Sequence, residues 1–190
     1  MFVVIFVAAT NEELMFRGYA FQRLVEAAGP AGAVALSSAL FGLLHLGNPF
    51  HTWTSTLNTV LVGIPLAVAY LRTRLLWTPI GIHFAWNFVQ GFGLGLPVSG
   101  LPPPFSVLKA EVRANELLTG GNYGPEGGLL ATGVILAVTV YLFLSKSIYI
   151  SEETRKLVFA PASIAGSPAG AVISLRTPGQ QADGDRRESD

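Results

Sequence analysis

The sequence contains no cysteine and few charged residues. The absence of cysteine excludes disulfide bonds, thiolate metal sites and a cysteine nucleophile from this chain. Only 13% of the residues are charged, whereas a soluble domain usually carries about 25%. No Lys, Arg, Asp or Glu lies between Glu26 and Arg72 or between Arg74 and Lys109. The formal net charge is zero, so nothing points to a nucleic-acid partner. This composition, with 51% hydrophobic residues, indicates an integral membrane protein.

Five apolar stretches approach the length of about 20 residues that a membrane-spanning helix needs. Gly29 and Pro30 separate the first two stretches, and Pro65 predicts a kink in the third. We therefore predict an all-α, polytopic helix bundle. Its five spanning helices are expected at approximately residues 1–27, 31–46, 53–71, 75–96 and 129–145.

The chain divides into a helical domain, residues 1–150, and a tail, residues 151–190. The tail is small, polar and interrupted by Pro and Gly, which predicts disorder. The connection 97–128 is rich in Pro and Gly, and within it residues 105–118 could form an amphipathic surface helix. Basic residues cluster after the first, third and fifth spans, which predicts a cytoplasmic tail. These residues are Arg23, Arg72, Arg74, Lys146, Arg155 and Lys156, whereas the loops after the second and fourth spans carry only Lys109 and Arg113.

The first apolar stretch carries three ionisable side chains, Glu12, Glu13 and Arg17. Such residues inside a membrane are expensive and usually functional. Glu13 and Arg17 are four residues apart, so they share one helix face and form a structural ion pair, in which Arg17 can also donate to neighbouring backbone. Glu12 points elsewhere and has no such partner. Glu12 is therefore the candidate reactive carboxylate.

Two further apolar stretches carry polar groups at helical spacing. In the second, Phe41 packs above His45, and in the fourth His83 shares a face with Asn87. If these faces converge with Glu12, they form a hydrolytic set. The carboxylate takes a proton from water, one imidazole holds that water, and the second imidazole and the amide stabilise an oxyanion.

Each of these features also has a purely structural interpretation. Glu12, Glu13 and Arg17 could be an ion-pair cluster alone. His45 could be an interfacial histidine and His83 a packed one. The joint pattern favours function over these alternatives.

Three motifs carry a resemblance to a known family. The sequence "EELMFR" matches E-E-x-x-x-R, "FGLLH" matches F-x-x-x-H, and "HFAWN" matches H-x-x-x-N/D. In order and spacing, over roughly residues 10–95, they resemble the type II CAAX prenyl endopeptidase and bacteriocin-processing family of intramembrane proteases. Family members usually carry further spanning helices before the first motif, so this chain is expected to be either a compact or an N-terminally shortened member.

The resemblance implies a role for each matching residue. Glu12 is the base that activates water, His45 helps to hold that water, and His83 and Asn87 stabilise the oxyanion. Two mechanisms are open: a metal-free glutamate mechanism without a cofactor, or a zinc site formed by Glu12, His45 and His83. Asn is a poor zinc ligand, which favours the first slightly.

The sequence therefore predicts an intramembrane endopeptidase that cleaves a membrane-associated, prenylated or peptide substrate. Its expected location is a bacterial cytoplasmic membrane, with membrane lipids and a peptide or protein substrate as partners. The alternatives are a non-catalytic immunity or scaffold protein and a proton-coupled transporter that uses the Glu and His cluster.

Overall fold

The computed structural model describes residues 1–145, and this part of the chain is helical. The helices are α1, Phe2–Arg17; α2, Tyr19–Leu44; α3, Trp53–Thr73; α4, Trp77–Asn87; α5, Glu116–Thr119; and α6, Leu129–Leu144. Short 3₁₀ helices follow at His45–Gly47, Gly121–Tyr123 and Pro125–Gly127, and a π-helical turn at Phe88–Gly93 continues α4. Residues 1–145 contain no strand, only an isolated bridge between Val98 and Leu101. The predicted all-α fold is confirmed.

The five-span prediction is not confirmed. Within residues 1–145, two helical stretches are long and apolar enough to cross a membrane, Phe2–Gly47 and Trp53–Thr73. The apolar helix Leu129–Leu144 is shorter. The predicted tail, and with it the domain boundary at residue 150, lies outside the described residues.

The first two helices are divided differently from the prediction. The break at Gly29 is present as a kink inside α2, where φ is 72°, a value that favours glycine. A second break at Gly18, which the sequence reading missed, ends α1 one residue after Arg17. A Cβ atom at Gly18 would lie 2.2 Å from the Leu14 carbonyl oxygen, so only glycine allows this close turn.

Helix α3 is the centre of the bundle, because α2, α4 and α6 all contact it. A capping box starts it: the Thr52 hydroxyl accepts from the Ser55 amide, and the Ser55 hydroxyl accepts from the Thr52 amide. Phe21 and Ala33 of α2 pack on Ala67 and Tyr70 of α3. On another side of α3, Val68 and Ala69 pack on Leu142 of α6. Helix α1 contacts α2 and α4, so these three helices meet at one site.

The predicted amphipathic helix at 105–118 is wrong. Only Glu116–Thr119 is helical, and residues 105–115 before it form no regular secondary structure. The amides of Val107, Leu108 and Ala110 donate to the carbonyl oxygens of Phe92, Gly93 and Leu94. Carbonyls at a helix end need such partners, so the end of the π-helical turn competes successfully with local helix formation.

Candidate active site

Arg17 of α1 contacts residues of α1, α2 and α3 next to the site. Its Nη1 lies 3.2 Å from Glu13 Oε1, and neither side chain is exposed to solvent. Its Nη2 donates to the Gly63 carbonyl of α3 over 3.0 Å. The guanidinium also lies 4.9 Å from the centre of the Phe41 ring of α2. The pair of Glu13 and Arg17 therefore fixes α1 against α2 and α3.

Glu13 also contacts a histidine of the site. His83 Nδ1 lies 2.9 Å from Glu13 Oε1. A carboxylate can only accept, so Nδ1 carries the hydrogen and donates it. In the neutral ring, Nε2 of His83 then presents a lone pair on its other side. The sequence reading paired Glu13 with Arg17 alone and missed this contact.

His45 is held in the same tautomer by different means. Its Nδ1 lies 2.7 Å from the Phe41 carbonyl oxygen, which is also only an acceptor. The Phe41 ring packs on both imidazoles, with centroids 4.6 Å from His45 and 6.2 Å from His83. Both histidines thus have their Nδ1 atoms engaged and their Nε2 atoms available.

Glu12 faces both Nε2 atoms. Its Oε2 lies 3.8 Å from His83 Nε2 and 3.9 Å from His45 Nε2. These distances are too long for direct hydrogen bonds and suit a bridging water. Glu12 Oε2 is buried and has no hydrogen-bond partner among the described residues. The structure therefore brings together three of the predicted site residues, one each from α1, the end of α2 and α4.

An apolar cavity of about 560 Å³ adjoins the two histidines. His45, His83 and the half-buried Asn87 line the cavity. Glu12 does not line it and faces the Nε2 atoms of the two imidazoles. The apolar wall of the cavity includes Val62, Leu66, Ile82, Val134, Ile135 and Val138. The volume and the apolar lining with a few polar groups are typical of a binding site.

The alternative zinc site would use Glu12, His45 and His83 as ligands. Two imidazole nitrogens and one carboxylate oxygen are ligand types that zinc accepts. Within residues 1–145, however, no three such side chains lie close enough together to hold a metal ion. We therefore derive no step through a metal.

The sequence reading also missed Glu126. It lines the same cavity, and its side chain accepts hydrogen bonds from Trp86 and Ser99. Burial raises the pKa of Glu126 above its ordinary value of 4.5, against the opposing effect of these hydrogen bonds and of the nearby His83. Glu126 stands alone in a Gly-rich loop, "GPEGG", where no periodicity or motif singles it out.

The three motifs all lie in the part of the chain that matches a known family. Residues 1–89 match the family model described as Rce1-like, type II CAAX prenyl endopeptidase Rce1-like. No match was found among curated proteins or among solved structures. The resemblance that the motifs predict is thus confirmed for residues 1–89, which are similar to the Rce1-like type II CAAX prenyl endopeptidases.

Proposed function

We propose that this chain is an intramembrane endopeptidase in which Glu12 activates a water molecule for attack on a peptide bond. The position of Glu12 Oε2, 3.8 and 3.9 Å from the Nε2 atoms of the two histidines, is the observation that supports it best. A water molecule between these atoms has two hydrogens. It can donate one to Glu12 Oε2 and the other to the lone pair of His45 Nε2, so that its oxygen lone pairs are directed outward and His83 Nε2 is left for the oxyanion.

The chemistry follows from this arrangement. Glu12 takes one hydrogen of the water as the oxygen attacks the carbonyl carbon of the scissile bond, which gives a tetrahedral intermediate. When the carbon–nitrogen bond breaks, Glu12 returns that proton to the leaving amine. The products are a new carboxyl group and a new amino group.

The oxyanion of the intermediate needs hydrogen-bond donors. The Asn87 amide lines the cavity and can donate whatever the charge of His83. His83 can donate from Nε2 only when it is doubly protonated, because Glu13 holds the hydrogen on Nδ1. We therefore assign the oxyanion first to Asn87, with a doubly protonated His83 as a second donor.

The proposed substrate is a membrane-associated peptide. The apolar wall of the cavity, with residues from α3, α4 and α6, suits an apolar side chain or lipid group next to the scissile bond. The name of the matching family adds prenylated C-a-a-X peptides to the candidates. We also propose that the helices lie in a bacterial cytoplasmic membrane, as five spans with a cytoplasmic tail.

A cleavage assay with purified protein in lipid vesicles tests the proposal. The substrates are a lipid-anchored peptide and its prenylated form, each with a fluorescent group released on cleavage. We expect wild-type cleavage, and its loss in His45→Ala and His83→Ala variants that are as stably folded. Cleavage that survives both substitutions, or no cleavage of any membrane-bound peptide, would contradict the proposal and support a scaffold role.

Metal content distinguishes the two mechanisms. The wild-type protein is treated with a chelator, its zinc is measured, and the same sample is assayed. We expect full cleavage by metal-free protein. Cleavage that disappears with the zinc and returns on its addition would instead support a site formed by Glu12, His45 and His83.

A further inference from the structure

Glu126 lies outside residues 1–89, which match the family, yet it lines the same cavity as His45 and His83. It is the one carboxylic acid among the described residues of the cavity wall. Its two oxygens accept hydrogen bonds from different parts of the chain. Oε1 accepts from the Trp86 indole over 3.1 Å, and Oε2 accepts from the Ser99 amide over 2.7 Å and from the Ser99 hydroxyl over 2.9 Å.

The backbone around Glu126 is fixed separately. Asn58, a buried residue of α3, donates from Nδ2 to the carbonyl oxygens of Glu126 and Gly128, over 2.7 and 2.9 Å. The Oδ1 atom of the same Asn58 side chain accepts from the Thr132 hydroxyl of α6. The backbone of Glu126 is therefore held by α3, while its side chain is free to accept hydrogen bonds from Trp86 and Ser99.

One of those elements is the helix that carries the third motif. Trp86 lies three residues after His83 and one before Asn87, so its position is tied to both. The indole of Trp86 also lines the cavity. A hydrogen bond between Trp86 and Glu126 thus links the site helix to the 97–128 segment.

The other element is the turn at Ser99, which also lines the cavity. Ser99 has φ of 49°, a left-handed conformation that residues other than glycine rarely adopt. Two hydrogen bonds to Glu126 and one from the Gly100 amide to the Tyr123 carbonyl hold this turn in place. Without Glu126 the Ser99 amide would lose its partner.

We infer that Glu126 is a positioning residue of the site: it joins the 97–128 segment to Trp86 of α4 and so fixes the cavity wall against which a substrate lies. The part of this inference that concerns the substrate rests on the proposed function. Glu126 needs to touch no reacting atom, and acts through Trp86 and Ser99.

A carboxyl group is required here for a simple reason. Hydrogen-bond donors approach both oxygens of Glu126, and a carboxyl can accept on both whether or not it is ionised. The amide of Gln has one oxygen, and its NH₂ group can only donate. A Glu126→Gln variant must therefore leave either Trp86 or Ser99 without its acceptor. If Trp86 is changed to Phe, the amide oxygen is free to serve Ser99.

Hydrogen exchange measured by NMR in detergent micelles tests the positioning. In Glu126→Gln, we expect the exchange of either the Trp86 indole or the Ser99 amide to become about tenfold faster, as for the loss of one hydrogen bond. In a Trp86→Phe protein, adding Glu126→Gln should change the exchange rate of the Ser99 amide by less than about twofold. The control is Glu116→Gln, an exposed acid of the same segment, which should change neither rate. Unchanged rates in Glu126→Gln overturn the inference.

Cleavage kinetics test the consequence for substrate. We expect Glu126→Gln to raise KM about tenfold and to change kcat less than about threefold, because the wall is displaced but the groups around the water remain. Faster exchange with an unchanged KM would overturn the role in substrate positioning. If the wild-type protein cleaves nothing, the proposed function fails, whereas the exchange measurements still decide whether Glu126 holds the wall.

Discussion

His83 Nδ1 lies 2.9 Å from Oε1 of Glu13, and the same oxygen lies 3.2 Å from Arg17 Nη1. The second glutamate of the first motif therefore serves both the buried ion pair and a histidine of the candidate site. This contact links the stability of the bundle to the orientation of the His83 ring. It also explains how adjacent glutamates can have different roles, because Glu12 faces the other nitrogen of the same ring.

The contacts at Nδ1 predict the tautomers of both site histidines. Where the rings are neutral, His83 and His45 should each carry hydrogen on Nδ1, since the Glu13 carboxylate and the Phe41 carbonyl only accept. Two-bond ¹H–¹⁵N correlation spectra of ¹⁵N-histidine-labelled protein report which nitrogen is protonated. A spectrum with hydrogen on Nε2 of His83 would contradict the arrangement described for Glu13.

Removal of Arg17 should affect folding more than chemistry. Arg17→Ala leaves the buried Glu13 carboxylate without its cation, which typically costs about 3–5 kcal/mol in the free energy of unfolding. The measurement is thermal unfolding and yield in detergent, with cleavage expressed per folded molecule.

Arg23→Ala is the matched control for Arg17. Arg23 pairs with Glu26 at the surface, where both side chains are about half exposed, so its loss should change stability by less than about 0.5 kcal/mol. An Arg17→Ala protein that is abundant and stable but inactive would indicate that Arg17 acts directly in the reaction.

Gly63 should tolerate no side chain. A Cβ atom there would lie 2.8 Å from Ser38 Cα, so Gly63→Ala must push α3 away from α2, at about 1–3 kcal/mol. Gly133→Ala is the control, because a Cβ atom on this α6 residue meets nothing within 4 Å. We expect a lower unfolding temperature for Gly63→Ala only. Equal temperatures for the two variants would contradict the close approach of α2 and α3.

The raised pKa of Glu126 predicts a pH dependence of stability. An acid with a higher pKa in the folded state holds its proton more tightly there than in the unfolded chain. The stability that Glu126 contributes should therefore fall as pH rises above its ordinary pKa of 4.5. Because Gln does not titrate, the unfolding temperature of wild type minus that of Glu126→Gln should decrease from pH 4.5 to pH 7.

The charge of His83 also acts on Glu126. His83 is present in both the wild type and the Glu126→Gln variant. A difference in unfolding temperature that stays constant or grows over this range would contradict the effect of burial on Glu126.

Local sequence features were enough to predict part of the fold and the core of the site. Helical spacing predicted the contact of Glu13 with Arg17 and the packing of Phe41 on His45, since both depend on residues four positions apart. The capped helix Trp53–Thr73 lies within two residues of its predicted span. The meeting of Glu12, His45 and His83 was a hypothesis from three motifs, and the geometry supports it.

Features that depend on distant partners were not predictable in this way. The break at Gly18 depends on the Leu14 carbonyl, and the irregular chain at 105–110 depends on carbonyls at the end of the π-helical turn. The contact of His83 with Glu13 joins residues 70 positions apart. Glu126 is held at the cavity by hydrogen bonds from Trp86 and Ser99, and no local sequence motif predicts this position.

The role of Glu12 as the base that activates water is the central claim. Its most direct test is kcat for cleavage of the membrane-anchored peptide by Glu12→Gln, which keeps the size of the side chain and removes the base. The control is Glu26→Gln, an exposed acid of α2. We predict that kcat falls by about 10²–10⁴-fold in Glu12→Gln and is unchanged in Glu26→Gln. A folded Glu12→Gln protein that turns over at the wild-type rate would contradict the account.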